Sequence, residues 1–151
     1  MPQSLAALYV HLVWSTKNRA ALLDPELRPR LFEYCGGILR QRKCALLAAN
    51  CALDHVHLLT SLHRETAVSA LVRDVKADSS GLIHRTFPER AAFAWQNGYG
   101  AFTVCYFHLD TIKEYIARQE EHHGAGISFQ DEFRVFLREH GLAWDEQFVW
   151  D

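Results

Sequence analysis

With 151 residues, 49% hydrophobic and 23% charged, the chain has ordinary globular composition and the length of one domain, expected over 1–151. No apolar run reaches membrane-span length and the N-terminus lacks a basic-then-apolar leader, so a cytoplasmic chain is expected, with Cys35, Cys44, Cys51 and Cys105 reduced and buried as small hydrophobes. A net charge of −2 argues against holding duplex DNA by bulk charge, but residues 17–43 carry seven basic and three acidic side chains and residues 110–151 four basic and ten acidic, an imbalance that fits a local phosphate track.

Residues 8–16 are rich in β-formers and predict a first strand, closed by Lys17-Asn18-Arg19. Asp24-Pro25 is a helix start, and Leu27, Leu31, Tyr34, Ile38 and Leu39 recur at helical spacing as far as about Arg42. Residues 45–51 predict a second strand. Ala52-Leu53-Asp54 is too short for a crossover, so this strand forms an antiparallel hairpin with the stretch His55-Val56-His57-Leu58-Leu59. Glu65-Thr66 opens a second helix whose buried stripe is Val68, Leu71, Val72, Val75, Ser79, Leu82 and Ile83, with Arg73, Lys76 and Arg85 on its other face. Phe93-Ala94-Trp95 starts a short strand, Gln96 to Gly100 is a loop, and residues 101–107 predict a further strand. Asp110 caps a helix through Tyr115 and Gln119 that ends near Gly124, and a last helix spans about 129–140. The order β-α-β-β-α-β predicts an α+β, ferredoxin-like split-βαβ fold. It is an antiparallel sheet with helices packed on one face and extra C-terminal helices, its first and third strands being central neighbours.

Alternation along a strand puts His55 and His57 on one face, where two neutral imidazoles can hold one divalent cation. The pair alone reads equally as two ordinary histidines of a half-exposed strand. Tyr115 and Gln119 are four apart and share a helix face, with His122 a turn further and His123 beside it. Read without the histidine strand, Tyr115 is a packed aromatic and Gln119 a solvated helix former. Together the parts make chemical sense at a phosphodiester. Two histidines and an amide oxygen leave a cation with open positions for a phosphate oxygen, and a tyrosine oxygen can form a covalent intermediate. Lys17, Arg19, Arg73, Lys76 and Arg85 are candidates for DNA phosphate contacts. Trp14 and Trp95 either stack on an unpaired base or lie in the core.

These residues resemble the single-tyrosine HUH transposases, small bacterial insertion-sequence transposases and their relatives associated with repeated extragenic palindromes. The resemblance covers nearly the whole chain. It includes Val10-His11-Leu12-Val13-Trp14-Ser15-Thr16-Lys17, Asp54-His55-Val56-His57, Trp95 to Phe102, Tyr115 to His123, and the acidic segment from Asp131-Glu132-Phe133 to Asp145-Glu146. It implies that His55 and His57 are metal ligands, Gln119 the third ligand and Tyr115 the nucleophile, with Mg²⁺ or Mn²⁺ as the ion. The implied substrate is single-stranded DNA beside an imperfect hairpin at the element's ends, cut to a 5′-phosphotyrosine and a free 3′-hydroxyl. A homodimer is expected, joined at the edge strand, in which Tyr115 of one chain serves the histidines of the other. His122 or His123 supplements the metal shell or stands behind it. Two other functions compete: a non-catalytic nucleic-acid-binding module that stacks bases on an open sheet, and a replication-initiator or relaxase-type HUH endonuclease.

Overall fold

The structure is a computed structural model that describes residues 2–151; Met1, the first residue of the expected domain, lies outside them. Four antiparallel strands form one sheet: β1 (Tyr9–Ser15), β2 (Leu46–Cys51), β3 (His55–Ser61) and β4 (Gly100–Thr103), in the order β2-β3-β1-β4. The expected neighbours β1 and β3 are therefore central, in a register that opposes Ser15 to His55 and Val13 to His57. An inner strand is hydrogen-bonded on both edges, so His55 and His57 are mounted on the stiffest part of the sheet.

Alternation sorts the side chains of β1 and β3 into two layers. Leu12, Trp14, Val56 and Leu58 turn to one side, where they are buried with Leu31, Cys35 and Leu39 of α1 (Arg28–Gln41) and Leu71, Val75 and Ile83 of α2 (Val68–Thr86). Val13 turns to the other side and clusters with Phe102 and with Phe129, Phe133, Phe136 and Leu137 of α5 (Phe129–Glu139). Between them in sequence lie α3 (Leu109–Ala117), which packs along β2 and β3, and the short α4 (Gln119–Gly124). Ser128 caps α5 by accepting from the Asp131 backbone N–H. The approach of α5 to β4 is so close that a Cβ on Gly100 would stand 2.5 Å from Phe133 Cε2. Only glycine lets the two elements meet there.

Several boundaries differ from the sequence expectation. Asp24 caps a turn through the Leu27 N–H, and α1 begins only at Arg28. The α2 helix begins at Val68. Phe93-Ala94-Trp95 forms no strand; Trp95 makes an isolated bridge to Thr16. The last strand stops at Thr103, and Tyr106–His108 is a 3₁₀ turn leading into α3. His108 stands at the N-cap position of α3, with Asp110 in the first turn. The helix expected through Gly124 breaks at Arg118 (φ −99°, ψ 21°). The break has a cause on the neighbouring strand. Asn50 Nδ2 donates to the carbonyls of Ile116 (2.9 Å) and Ala117 (3.3 Å), which satisfies the end of α3 from outside. Cys35, Cys44 and Cys51 are buried free thiols as expected, whereas Cys105 is exposed. Trp14 and Trp95 lie in the core, and Trp95 Nε1 donates to Ser79 Oγ. Among the described residues no helix is long and apolar enough to cross a membrane.

Candidate active site

The histidine face of β3 meets α3, α4 and α5. His55 and His57 are fully buried, and their two ring nitrogens face different ways. On the sheet side each Nδ1 is held. His55 Nδ1 pairs with Asp54 Oδ1 at 2.7 Å, and His57 Nδ1 pairs with Nε2 of His11, on β1, at 2.8 Å. Both Nε2 atoms point instead at Glu132 of α5, with His57 Nε2 2.9 Å and His55 Nε2 3.2 Å from Oε1. The His55 contact lacks hydrogen-bond geometry, so this nitrogen is a buried polar atom without a partner. The other carboxylate oxygen, Oε2, accepts from the Tyr115 hydroxyl. Two ligand-type nitrogens and the candidate nucleophile therefore converge on one buried carboxyl group.

The electrostatics follow from that convergence. Burial works to raise the Glu132 carboxyl, but the close approach of His55 and the bonds from His57 and Tyr115 outweigh it and hold it well below the usual carboxylate range. Burial, and then the adjoining Glu132, raise the Tyr115 hydroxyl, so the phenol is neutral at rest. Burial lowers His57 against the opposing pull of Glu132. For His55 burial acts in the same direction, but the bond to Asp54 and the nearby Glu132 carboxylate prevail and raise it. The rings are fixed by packing as well. Tyr115 stacks on His122 (centroids 4.6 Å apart) and meets Phe136 edge-on, while Phe129 covers the His55 ring at 4.5 Å.

His55, His57 and Glu132 place one ligand atom each within 4.8 Å of one another, a set suited to a divalent cation. The unpartnered His55 Nε2, buried beside a carboxylate, is a donor atom that fits such a cation. Gln119, expected as third ligand, is also fully buried. Its Oε1 lies 3.2 Å from His123 Nε2, and its Nε2 has no partner. It thus stands at the wall of the site, on α4, while Glu132 occupies the nearer position. His123 Nε2 is 3.7 Å from Glu132 Oε1; His122 stacks on Tyr115.

Glu132 had no assigned role in the sequence reading. The signal was present: Phe129, Phe133, Phe136 and Leu137 trace the apolar stripe of a helix, and Glu132 sits inside that stripe. A carboxylate there must be buried, and a buried carboxylate needs partners. Nor did spacing within one strand single out His11, which required the register of β1 against β3.

The five basic residues expected to contact phosphate do not converge. Arg19 lines a cavity of about 610 Å³ beside Asp54, His123 and Phe129, with its guanidinium 6.0 Å from the Trp150 ring. Lys17 is exposed near the same end of β1. Arg73, Lys76 and Arg85 all lie on α2, across the sheet from the histidines. Arg73 pairs with Asp74. The Lys76 ammonium is taken up by backbone carbonyls of Gln96 (3.0 Å), Asn97 (3.1 Å) and Gly98 and lies over the Trp14 ring. A second recess, of about 360 Å³, opens against Tyr115 and His122, and Ile127 borders both cavities. Tyr115 closes on the Glu132 of its own chain. Within the single chain the 3₁₀ turn at Tyr106–His108 delivers α3 onto its own sheet, where Asn50 anchors its end.

The sequence pattern of a transposase family, met over most of the chain, places it among DNA-processing enzymes. It belongs to the IS200-like transposase family, whose sequence pattern it matches over residues 4–119. It is 26% identical over 119 residues to the ISDra2 transposase TnpA of Deinococcus radiodurans, an alignment covering 76% of this chain and 85% of the relative. Among solved structures it is similar to a chain from Deinococcus radiodurans R1 described as a transposase, with a TM-score of 0.64 and 26% identity over 79% of this chain and 98% of that one. A REP-associated tyrosine transposase bound to a REP hairpin shares the fold, with a TM-score of 0.61 at 15% identity, covering 82% and 75% of the two chains.

Proposed function

We propose that this transposase cuts and rejoins single-stranded DNA at hairpin-bearing ends through a covalent link to Tyr115. One observation carries the reading: the Tyr115 hydroxyl and the Nε2 atoms of His55 and His57 meet on the two oxygens of Glu132. Tyr115 Oη attacks phosphorus, the Oη–P bond forms and the P–O3′ bond breaks. The products are a 5′-phosphotyrosine and a strand that takes up a proton as its 3′-hydroxyl. Glu132 Oε2 orients the phenol by accepting its hydrogen bond, and the proton the phenol loses is balanced by the one taken up at O3′. The link retains the energy of the diester, so attack by a 3′-hydroxyl restores DNA and frees the tyrosine. When bound, Mg²⁺ or Mn²⁺ would stabilise charge on a non-bridging phosphate oxygen. His55, His57 and Glu132 would hold it, with Gln119 at the wall. Histidine donors lean toward Mn²⁺, and availability favours Mg²⁺. The recesses on either side of Ile127 offer a flexible strand a path that a stiff duplex lacks.

A non-catalytic module stacking bases on an open sheet finds no open sheet here, since α5 covers one face and α1 and α2 the other. We place a homodimer at the free edge of β4; mixing Tyr115→Phe with His57→Ala chains distinguishes a tyrosine that serves its own histidines from one that serves the partner's, recovered cleavage marking the exchange. The test is a denaturing gel of labelled single-stranded hairpin DNA incubated with the protein and Mn²⁺. The wild-type chain should give a shifted covalent band, Tyr115→Phe none, and the same sequence as full duplex none. A band that persists in Tyr115→Phe would move the nucleophile to another tyrosine.

A further inference from the structure

The β1 strand carries a histidine that the cleavage chemistry leaves unused. His11 is 1% exposed and sits among aromatic rings: Phe102, Phe136 and Tyr115 all meet it edge-on, with centroids 5.1–6.4 Å away. A leucine or phenylalanine would fill such a place without the desolvation cost of an imidazole. The polar atom has a definite partner, however. In the antiparallel register His11 lies opposite Leu59, and Val13 opposite His57, so His11 and His57 are diagonal neighbours on one face of the sheet. Their rings are 5.0 Å apart, tilted by 30°, and His11 Nε2 lies 2.8 Å from His57 Nδ1.

We infer that His11 is a positioning residue for His57: by engaging Nδ1 from the neighbouring strand it fixes the ring and leaves Nε2 as the nitrogen presented to a cation. The inference rests on the metal reading of His55 and His57. With Nε2 turned to the ion, Nδ1 carries the proton and donates it to His11 Nε2. A hydrogen bond to the second nitrogen selects the tautomer and orientation of a ligand imidazole. Asp54 does the corresponding work for His55, so the two ligands are steadied by partners of different chemistry, one a carboxylate and one an imidazole. Asp54 approaches from a half-exposed position, whereas His11 works where no solvent competes for the bond.

Mn²⁺ binding to the full chain without DNA, followed by electron paramagnetic resonance or calorimetry, tests this directly. His11→Phe keeps an aromatic ring and removes the acceptor; its Mn²⁺ affinity should fall about 10- to 100-fold, with hairpin affinity unchanged. His11→Gln offers an amide oxygen to the same proton and should recover most of the loss, which a purely steric role would not predict. If His11→Phe does not fold, His11→Asn, too short to reach, takes its place with the same expected loss. Wild-type Mn²⁺ affinity in the folded Phe or Asn variant would overturn the inference while leaving the metal site standing. Wild-type affinity in His57→Ala would overturn the metal reading, and this inference with it.

Discussion

On β3, Val56 and Leu58 point toward α1 and α2, while His55 and His57, their immediate neighbours, point toward α5. The first layer is mainly aliphatic, with Trp14, Phe93 and Trp95 as its buried aromatics, and its contribution to stability is the area it removes from water. The second layer is aromatic and polar. Here His11, His55, His57 and Glu132 are all at most 5% exposed, and every buried polar atom among them but His55 Nε2 is engaged by a particular partner. One strand thus serves two purposes at a period of two. The stable layer gives the sheet its rigidity, and the polar layer uses that rigidity to hold unfavourable groups in place. A buried polar cluster of this kind detracts from stability unless it is nearly fully satisfied, so its presence marks the layer as functional.

Adjacent substitutions on β3 break the comparison most sharply. His57→Ala should abolish DNA cleavage while hairpin binding and the fold persist, because contacts along the DNA backbone supply most of the affinity; undiminished cleavage, measured also in excess EDTA, would contradict the division. Leu58→Ala, one residue on, should do the reverse. It should cost about 2–5 kcal/mol in chemical denaturation, yet at temperatures where the variant is folded the covalent DNA adduct should form at near wild-type yield. A third substitution sharpens the contrast from the far layer. Lys76→Met deprives three backbone carbonyls of their donor and should cost about 1–3 kcal/mol. With that ammonium bonded to backbone carbonyls, the salt dependence of hairpin binding should keep its slope, whereas Arg19→Ala should lower the slope by about one. A changed slope in Lys76→Met would return Lys76 to the DNA interface.

The smallest effect concerns the acidic tail beside the polar layer. Hydrogen bonds from Arg134, and then from Trp144 and Trp150, hold the Glu146 carboxyl at about 2, below its ordinary 4.5. The folded value is the lower one, so its contribution is present above pH 4.5 and lost as pH falls toward 2. Tryptophan fluorescence should report a shift in that window that Glu146→Gln lacks.

Periodicity revealed the aliphatic layer almost completely, because alternation in β1 and β3 and helical spacing in α1 and α2 are local properties of the chain. The polar layer was legible only in part. His55, His57, Tyr115 and Gln119 stand out by type, spacing and family resemblance together, and the structure gathers all four. The apolar stripe around Glu132 signals only its burial and nothing local singles out His11, since what they meet lies 75 and 46 residues away in sequence. Local propensity also misled. Tyr106 and Phe107 have the composition of a strand, yet both are exposed in a 3₁₀ turn. The break at Arg118 carries no glycine or proline; it is imposed by Asn50 from another element.

The loop at Gln96–Gly98 turns three successive carbonyls toward one point. Such a ring of backbone oxygens is the kind of cradle that would otherwise recruit a monovalent ion from the medium. Here the occupant is the Lys76 ammonium, tethered to α2, and it cannot be exchanged or diluted away. The shape of the loop that leads into β4 is thereby uncoupled from the ionic composition of the surroundings.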